Sequence, residues 1–313
     1  MSNALELDRI VKRFGDFTAV DGISLIVPTG SVYGFLGPNG AGKTTTIRMI
    51  MNILRPDEGS IRLLGEPSGE GVKVRTGYLP EERGVYKKMK VLELVAYFGT
   101  LKGLSRAEAA TRGKRHLESM GLGDWIDRNC QDLSKGMQQK VQFISTIVHE
   151  PELVILDEPF SGLDPINTEV LKDKILELKA SGTTVLFSTH IMDQAEKLCD
   201  SVVLIDAGKK VLDGTLDEVR RSAVAEEAVL VEFEGPAMDM SGLPMVARVS
   251  EFGRSLEVFI KPEHEPEELL EALVGKVKVR HFEVRRPSLH EIFIRAVGGV
   301  PGKPAEAGEV VTS

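Results

Sequence analysis

The chain has little that would tie it to an oxidising compartment or to a membrane interior. Only two of its 313 residues are cysteine. Cys130 and Cys199 stand far apart and in no metal-ligand spacing, which excludes a disulfide framework and leaves free thiols in a reducing compartment as the expectation. No uncharged apolar run approaches the ~20 residues that cross a bilayer, so a pore, if the protein serves one, comes from another chain. The first nine residues show no basic stretch leading into an apolar one, and no secretory leader is expected there. Basic charge is not in surplus either: 47 acidic against 39 basic residues give a net charge of −8, which argues against a general nucleic-acid binder. Apolar and charged residues, 42% and 27%, are in the proportions of an ordinary globular protein, and the length allows two domains.

One stretch is dense in information. Gly37-Pro38-Asn39-Gly40-Ala41-Gly42-Lys43-Thr44 follows an apolar, strand-like run at 32–36 and leads into a segment whose Ile47, Ile50, Met51 and Leu54 recur at helical spacing. Glycines there let consecutive backbone N–H groups turn inward, forming a nest for phosphates at a helix N-terminus. This is the spacing of a P-loop between its required strand and helix, so residues 37–45, Thr45 included, are the expected binding stretch for a nucleoside triphosphate. Lys43 is placed to reach the β- and γ-phosphates, and the Thr44 hydroxyl to ligate Mg²⁺.

Up to about residue 220, short apolar runs alternate with helix-period segments, the pattern of an α/β domain with a largely parallel sheet. Strands are expected at 32–36, 153–157, 184–187 and 202–205, the last three as continuous apolar runs buried on both faces. Two strand-like runs before the P-loop, 5–11 and 23–27, have no helix between them and predict an antiparallel flap. Between about 84 and 150 strand signals nearly vanish. Val91, Leu94, Val95 and Phe98 form one helical stripe, Ser105 and Glu108 predict a capping box, and Met137, Val141, Ile144 and Val148 mark a helix stopping at Pro151. This is a helical insertion. Residues 221–298 read as a small α+β domain with a helix near 266–274, and 299–313 as a disordered tail.

A P-loop alone does not choose among kinases, GTPases and transport ATPases. The run Leu153-Val154-Ile155-Leu156-Asp157-Glu158-Pro159 narrows the field, because a carboxylate at the end of a buried strand is where Asp157 can order the Mg²⁺ shell. Glu158, next to it, is the candidate general base for the attacking water. His190 lies just past another expected parallel strand, on the edge where α/β sheets bind ligands.

With these residues in this order, the chain resembles the ATP-binding subunit of an ABC transporter. Leu133-Ser134-Lys135-Gly136-Met137-Gln138-Gln139 resembles that family's signature, and Ser161-Gly162-Leu163-Asp164 its D-loop. The resemblance implies that Ser134 and Gly136 complete the site of a second ATP-binding subunit; the intact motifs allow that partner to be a second copy in a homodimer, with a heterodimer left open. It further implies that Asp164 runs along that interface, that His190 contacts the γ-phosphate, and that Phe14, with Phe17 as competitor, stacks on adenine. It departs from the family at Glu81, which holds the Q-loop glutamine position and is carried as a candidate Mg²⁺ ligand, and at Lys135 and Met137. Pro287-Ser288-Leu289-His290-Glu291-Ile292-Phe293 resembles the close of an accessory domain in drug-resistance and sodium-extrusion exporters. The implied function is ATP hydrolysis by Lys43, Glu158 and His190, driving separate transmembrane permease subunits from the cytoplasmic face of the cell membrane. A soluble ABC ATPase acting on ribosome or DNA is the alternative.

Overall fold

The computed structural model describes residues 2–82, 84–223, 227–234, 239–252, 255–261, 263–285 and 287–297. Residues 299–313, expected to be disordered, lie outside this set. The chain divides after Leu216 into two units.

The first unit opens with a hairpin of β1 (Asn3–Phe14) and β2 (Phe17–Pro28), Phe14 facing Phe17 across the turn. β3 (Val32–Leu36) is buried at every position and runs through the P-loop into α1 (Lys43–Ile50). β4 (Glu58–Leu63) and the two-residue β5 (Glu66–Pro67) join the hairpin in an antiparallel sheet of order β2-β1-β4-β5. The short α2 (Glu70–Lys73) leads to β6 (Thr76–Leu79). Three helices then form the insertion: α3 (Val91–Leu101), α4 (Arg106–Ser119) and α5 (Lys135–Ile147). The chain returns through β7 (Leu153–Asp157), α6 (Pro165–Ala180), β8 (Thr184–Thr189), α7 (Met192–Leu198), β9 (Ser201–Asp206) and β10 (Lys209–Thr215).

These strands build a six-stranded sheet of order β10-β9-β3-β8-β7-β6, parallel from β9 to β6 with β10 antiparallel at its edge. Phe35, Ile47, Ile50, Ile155, Leu186 and Val203 are fully buried between this sheet, α1 and the flap. At about 1.5–3 kcal/mol for each such side chain, this core outweighs surface pairs such as Arg75–Glu152, worth roughly 0–1 kcal/mol.

The second unit carries α8 (Leu216–Ala223), which begins at the division, then β11 (Glu227–Glu234), β12 (Val246–Phe252), β13 (Ser255–Ile260), α9 (Pro266–Leu273), β14 (Lys278–Arg285) and α10 (Leu289–Ala296). Its four strands form an antiparallel sheet of order β12-β13-β11-β14. Leu269 and Leu273 of α9 pack with Val229, Val231, Val258 and Ile260 on one face. Ser288 and Glu291 make the expected capping box at the start of α10.

The structure differs from the sequence reading in places. The expected strand at 5–11 is part of a twelve-residue one, and β4, β6 and β10 were not anticipated. At Ser105 only half of the capping box forms: its hydroxyl accepts from the Glu108 N–H at 3.2 Å, whereas the Glu108 carboxylate is drawn to Arg112 at 2.6 Å.

Candidate functional site

Parallel pairing puts the C-terminal ends of β3, β7 and β8 on one edge of the sheet. Leu36 is level with Thr189, and Asp157 with Ser188, so the P-loop, the acidic pair and His190 emerge side by side. The P-loop is pressed against its surroundings. A Cβ on Gly37 would lie 2.2 Å from the Ile205 carbonyl oxygen, and Gly42, at φ 102°, would place one 2.5 Å from the Ala19 carbonyl oxygen. Only glycine fits at these two positions. α1 starts at Gly42 with no side-chain cap and no acidic residue in its first turn, leaving its N-terminal N–H groups aimed at the loop. Asn39 and Gly40 are exposed at the loop tip, Pro38, Thr44 and Thr45 are half-buried, and Ala41 is buried.

Lys43 is buried and donates to the carbonyl oxygens of Gly37 at 2.8 Å and Pro38 at 3.1 Å. Its Nζ also lies 3.6 Å from Glu158 Oε1. The same carboxylate oxygen is 3.0 Å from His190 Nδ1, so Glu158 stands between a buried ammonium and an imidazole. Glu158 is itself buried and has φ 49°, a left-handed conformation uncommon for a residue with a Cβ and concentrated at functional sites. Asp157 accepts from Ser188 Oγ at 2.5 Å and from Thr44 Oγ1 at 3.4 Å, both through Oδ1. Its Oδ2 is buried without a hydrogen-bond partner among the described residues. Burial pushes the Asp157 carboxyl up from its ordinary value, the hydrogen bonds from Ser188 and Thr44 oppose that, and the Glu158 charge adds to it. An orphaned carboxylate oxygen beside a threonine hydroxyl fits a hard cation such as Mg²⁺, which takes few protein ligands and completes its shell with phosphate oxygens and water.

The structure sorts the remaining sequence-predicted residues into a second group. Ser134 caps α5, accepting from the Met137 N–H at 3.3 Å, and Asp164 caps α6, accepting from the Asn167 N–H at 2.9 Å. A Cβ on Gly136 would touch the Asn167 side chain at 3.4 Å, so the two caps lie together, both exposed. They are tied to the first group through Gln139, whose amide donates to the Pro159 carbonyl oxygen. Phe14 is 49% exposed, which removes it from the core, and Phe17 is 63% exposed beside it. The hairpin carrying both runs on to Ala19, whose carbonyl meets Gly42. Glu81 is exposed two residues past β6, on the same sheet edge as Asp157.

Sequence reasoning missed Ser188 and Gln139. A hydroxyl at the inner end of a wholly buried strand was the available signal for Ser188. Beside the site, a cavity of about 460 Å³ lies between β6 and the insertion, lined by Met51, Tyr78, Leu94, Phe98, Lys102 and His149.

A parallel sheet with a P-loop and an acidic strand end defines the P-loop nucleoside triphosphatase class. Residues 20–161 match the ABC transporter family, and residues 214–297 match the C-terminal domain of ATP-binding proteins like DrrA1-3. The uncharacterized ABC transporter ATP-binding protein YhaQ of Bacillus subtilis is 43% identical over 95% of this chain and 99% of its own. The Nod factor export ATP-binding protein I of Cupriavidus metallidurans is 34% identical over 95% of this chain and 98% of its own. Among solved structures, an ATP-binding subunit of an ABC transporter superimposes with a TM-score of 0.66 at 33% identity, covering 70% of this chain and 92% of that one. The ADP conformation of another ATP-binding cassette gives 0.62 at 27% identity, covering 70% and 93%. The chain belongs to the ABC transporter ATP-binding proteins, and its activity is the ATP hydrolysis by which that family powers transport. Among the described residues, no helix is long and apolar enough to cross a membrane.

Proposed function

We propose that the chain is the ATP-hydrolysing subunit of an exporter, acting as a homodimer on separate membrane-spanning subunits. The observation that carries the site assignment is the buried cluster in which Glu158 faces Lys43 and His190 beside Asp157. Residues 37–45 cradle the phosphates, and Lys43 exchanges its loop carbonyls for phosphate oxygens. Glu158 takes a proton from the attacking water, and His190 orients that carboxylate. Thr44 and Asp157 hold Mg²⁺, which when bound offsets charge on the phosphates. Glu81, on the same edge, would be a further candidate to hold that ion, and Phe14 a stacking surface for adenine.

Exposure of Ser134 and Asp164, each bonded only within its own helix cap among the described residues, supports a site completed by a second copy. Export is supported by the names of the Nod factor relatives. The apolar cavity bordered by β6 and α3 is the proposed contact for a permease segment, which would hold the chain at the cytoplasmic face of the membrane. Residues 1–220 form the ATP-binding domain in this reading, with the insertion at about 84–150, and 221–298 the accessory domain.

Two experiments test this. Lys43→Ala is expected to weaken ATP binding about 10- to 100-fold, the worth of a charge-assisted contact in a closed site, when read by calorimetry. Affinity near that of the native chain would remove Lys43 from phosphate binding. Mixing Lys43→Ala with Ser134→Arg, each inactive alone, is expected to restore ATPase activity, because a hybrid dimer contains one site with neither change. No recovery in a mixture that forms dimers would overturn the shared site.

A further inference from the structure

Ser188 joins the two acidic residues through one hydroxyl. It is fully buried at the end of β8, level with Asp157 on β7. Its Oγ donates to Asp157 Oδ1 at 2.5 Å and accepts from the Glu158 N–H at 3.0 Å. A hydroxyl has one proton and two lone pairs, so both bonds form at once and in only this sense: the proton goes to the carboxylate and a lone pair faces the amide. The amide it receives belongs to the residue whose backbone is held at φ 49°.

We propose that Ser188 is a positioning residue for ATP hydrolysis, locking the Asp157 carboxylate and the Glu158 backbone into one fixed relation. The inference rests on the roles given above to Asp157 and Glu158. With Oδ1 committed to Ser188 and Thr44, the free Oδ2 has a defined direction. With its N–H anchored, Glu158 keeps the left-handed turn that sends its side chain back between Lys43 and His190. A methyl group at this position would leave the Glu158 N–H buried without a partner and leave Oδ1 held only by the longer contact from Thr44. The strand would then relax, and the two carboxylates would lose their mutual register.

The isosteric pair Ser188→Thr and Ser188→Val tests this in the full-length chain, since both are β-branched strand formers and differ only in the hydroxyl. The threonine variant is expected to keep kcat within about threefold, and the valine variant to lower it about 30- to 100-fold with KM for ATP within about threefold. Mn²⁺ bound in the presence of ATP, read by electron paramagnetic resonance, is expected to bind about tenfold more weakly to the valine variant. Hydrogen exchange at the Glu158 amide, measured without nucleotide, should quicken in the valine variant and stay slow in the threonine one. A valine variant as active as the threonine variant would overturn the proposal, as would equal losses in both or a loss confined to KM. Should Glu158→Gln turn over normally, the underlying site assignment fails. Should Glu158→Gln be inactive and Ser188→Val active, only the role of Ser188 fails.

Discussion

Glu158→Gln is expected to bind ATP with affinity within a few-fold of the native chain while losing turnover by about 100- to 10,000-fold, the usual span for removing a general base. The substitution is close to isosteric. The amide keeps an oxygen for the contacts now made at 3.0 Å to His190 Nδ1 and 3.6 Å to Lys43 Nζ, but it cannot take up a proton. The backbone at φ 49° is unaffected, because Glu and Gln meet the same steric limits there. What is lost beyond basicity is the negative charge opposite Lys43. Breaking a buried pair can be costly, yet Lys43 retains two carbonyl acceptors, so the change in stability should stay near 1–2 kcal/mol. Slow turnover with intact binding should also trap the ATP-bound dimer, visible by light scattering after gel filtration. Hydrolysis within about threefold of native would end the general-base assignment, and His190 would then be the residue to examine.

The separation of binding from turnover depends on how the cluster is built. Lys43 opens α1 just after the P-loop, Asp157 and Ser188 lie at the C-terminal ends of β7 and β8, and Glu158 and His190 directly follow those strands. Each lies on, or within one residue of, a buried strand or the helix that follows the P-loop, so the cluster is anchored by a close-packed core. The second group, Ser134 with Asp164, is completed locally as a pair of helix caps. In the proposed shared site, their exposed positions would meet the ATP of a second chain.

Much of this was legible in the sequence, for definite reasons. Val32–Leu36 and Leu153–Asp157 are strands with the expected bounds, because uninterrupted apolar runs of that length next to turn signals leave few alternatives. The P-loop was legible because its glycines answer a steric demand visible at Gly37 and Gly42. β4 and β10 were not, since edge and solvent-facing strands carry charge and glycine, as in Lys209-Lys210-Val211-Leu212-Asp213-Gly214-Thr215, and lose the apolar signature. Ser105 shows a further limit: the pattern identified the cap, whereas Arg112, one turn along, took the carboxylate that would have closed the box. Ser188 escaped because a hydroxyl in a buried strand signals only that some partner exists, and the partner is named only once the register with Asp157 is known.

Mild acid is expected to destabilise the ATP-binding unit through two buried histidines. Burial pushes His116 and His149 down to about 4 from the ordinary value, helped by Lys174 and Arg115 at His116 and by Lys102 and Arg112 at His149. Glu150 and Glu177 oppose the shift at His116, and the Thr76 backbone opposes it at His149. The unfolded chain takes up these protons as pH falls through about 6.5, while the folded chain resists until about 4. Stability from keeping both rings neutral is therefore complete above about pH 6.5 and declines as pH falls, by about 2 kcal/mol per ring at pH 4.5. Two rings together amount to a large part of a typical folding free energy of about 5–15 kcal/mol. Asp157, whose pKa is raised, acts in the opposite sense, since the folded chain takes its proton first and gains stability as pH falls. Denaturant midpoints at pH 7.5, 6 and 5 should fall steeply for the native chain and much less for a His116→Leu, His149→Leu variant. An equal decline in that variant would move the acid sensitivity to carboxylates such as Glu152. Arg75 holds that group below its ordinary value, so its contribution is present above the unfolded pKa and lost as pH falls through the folded one.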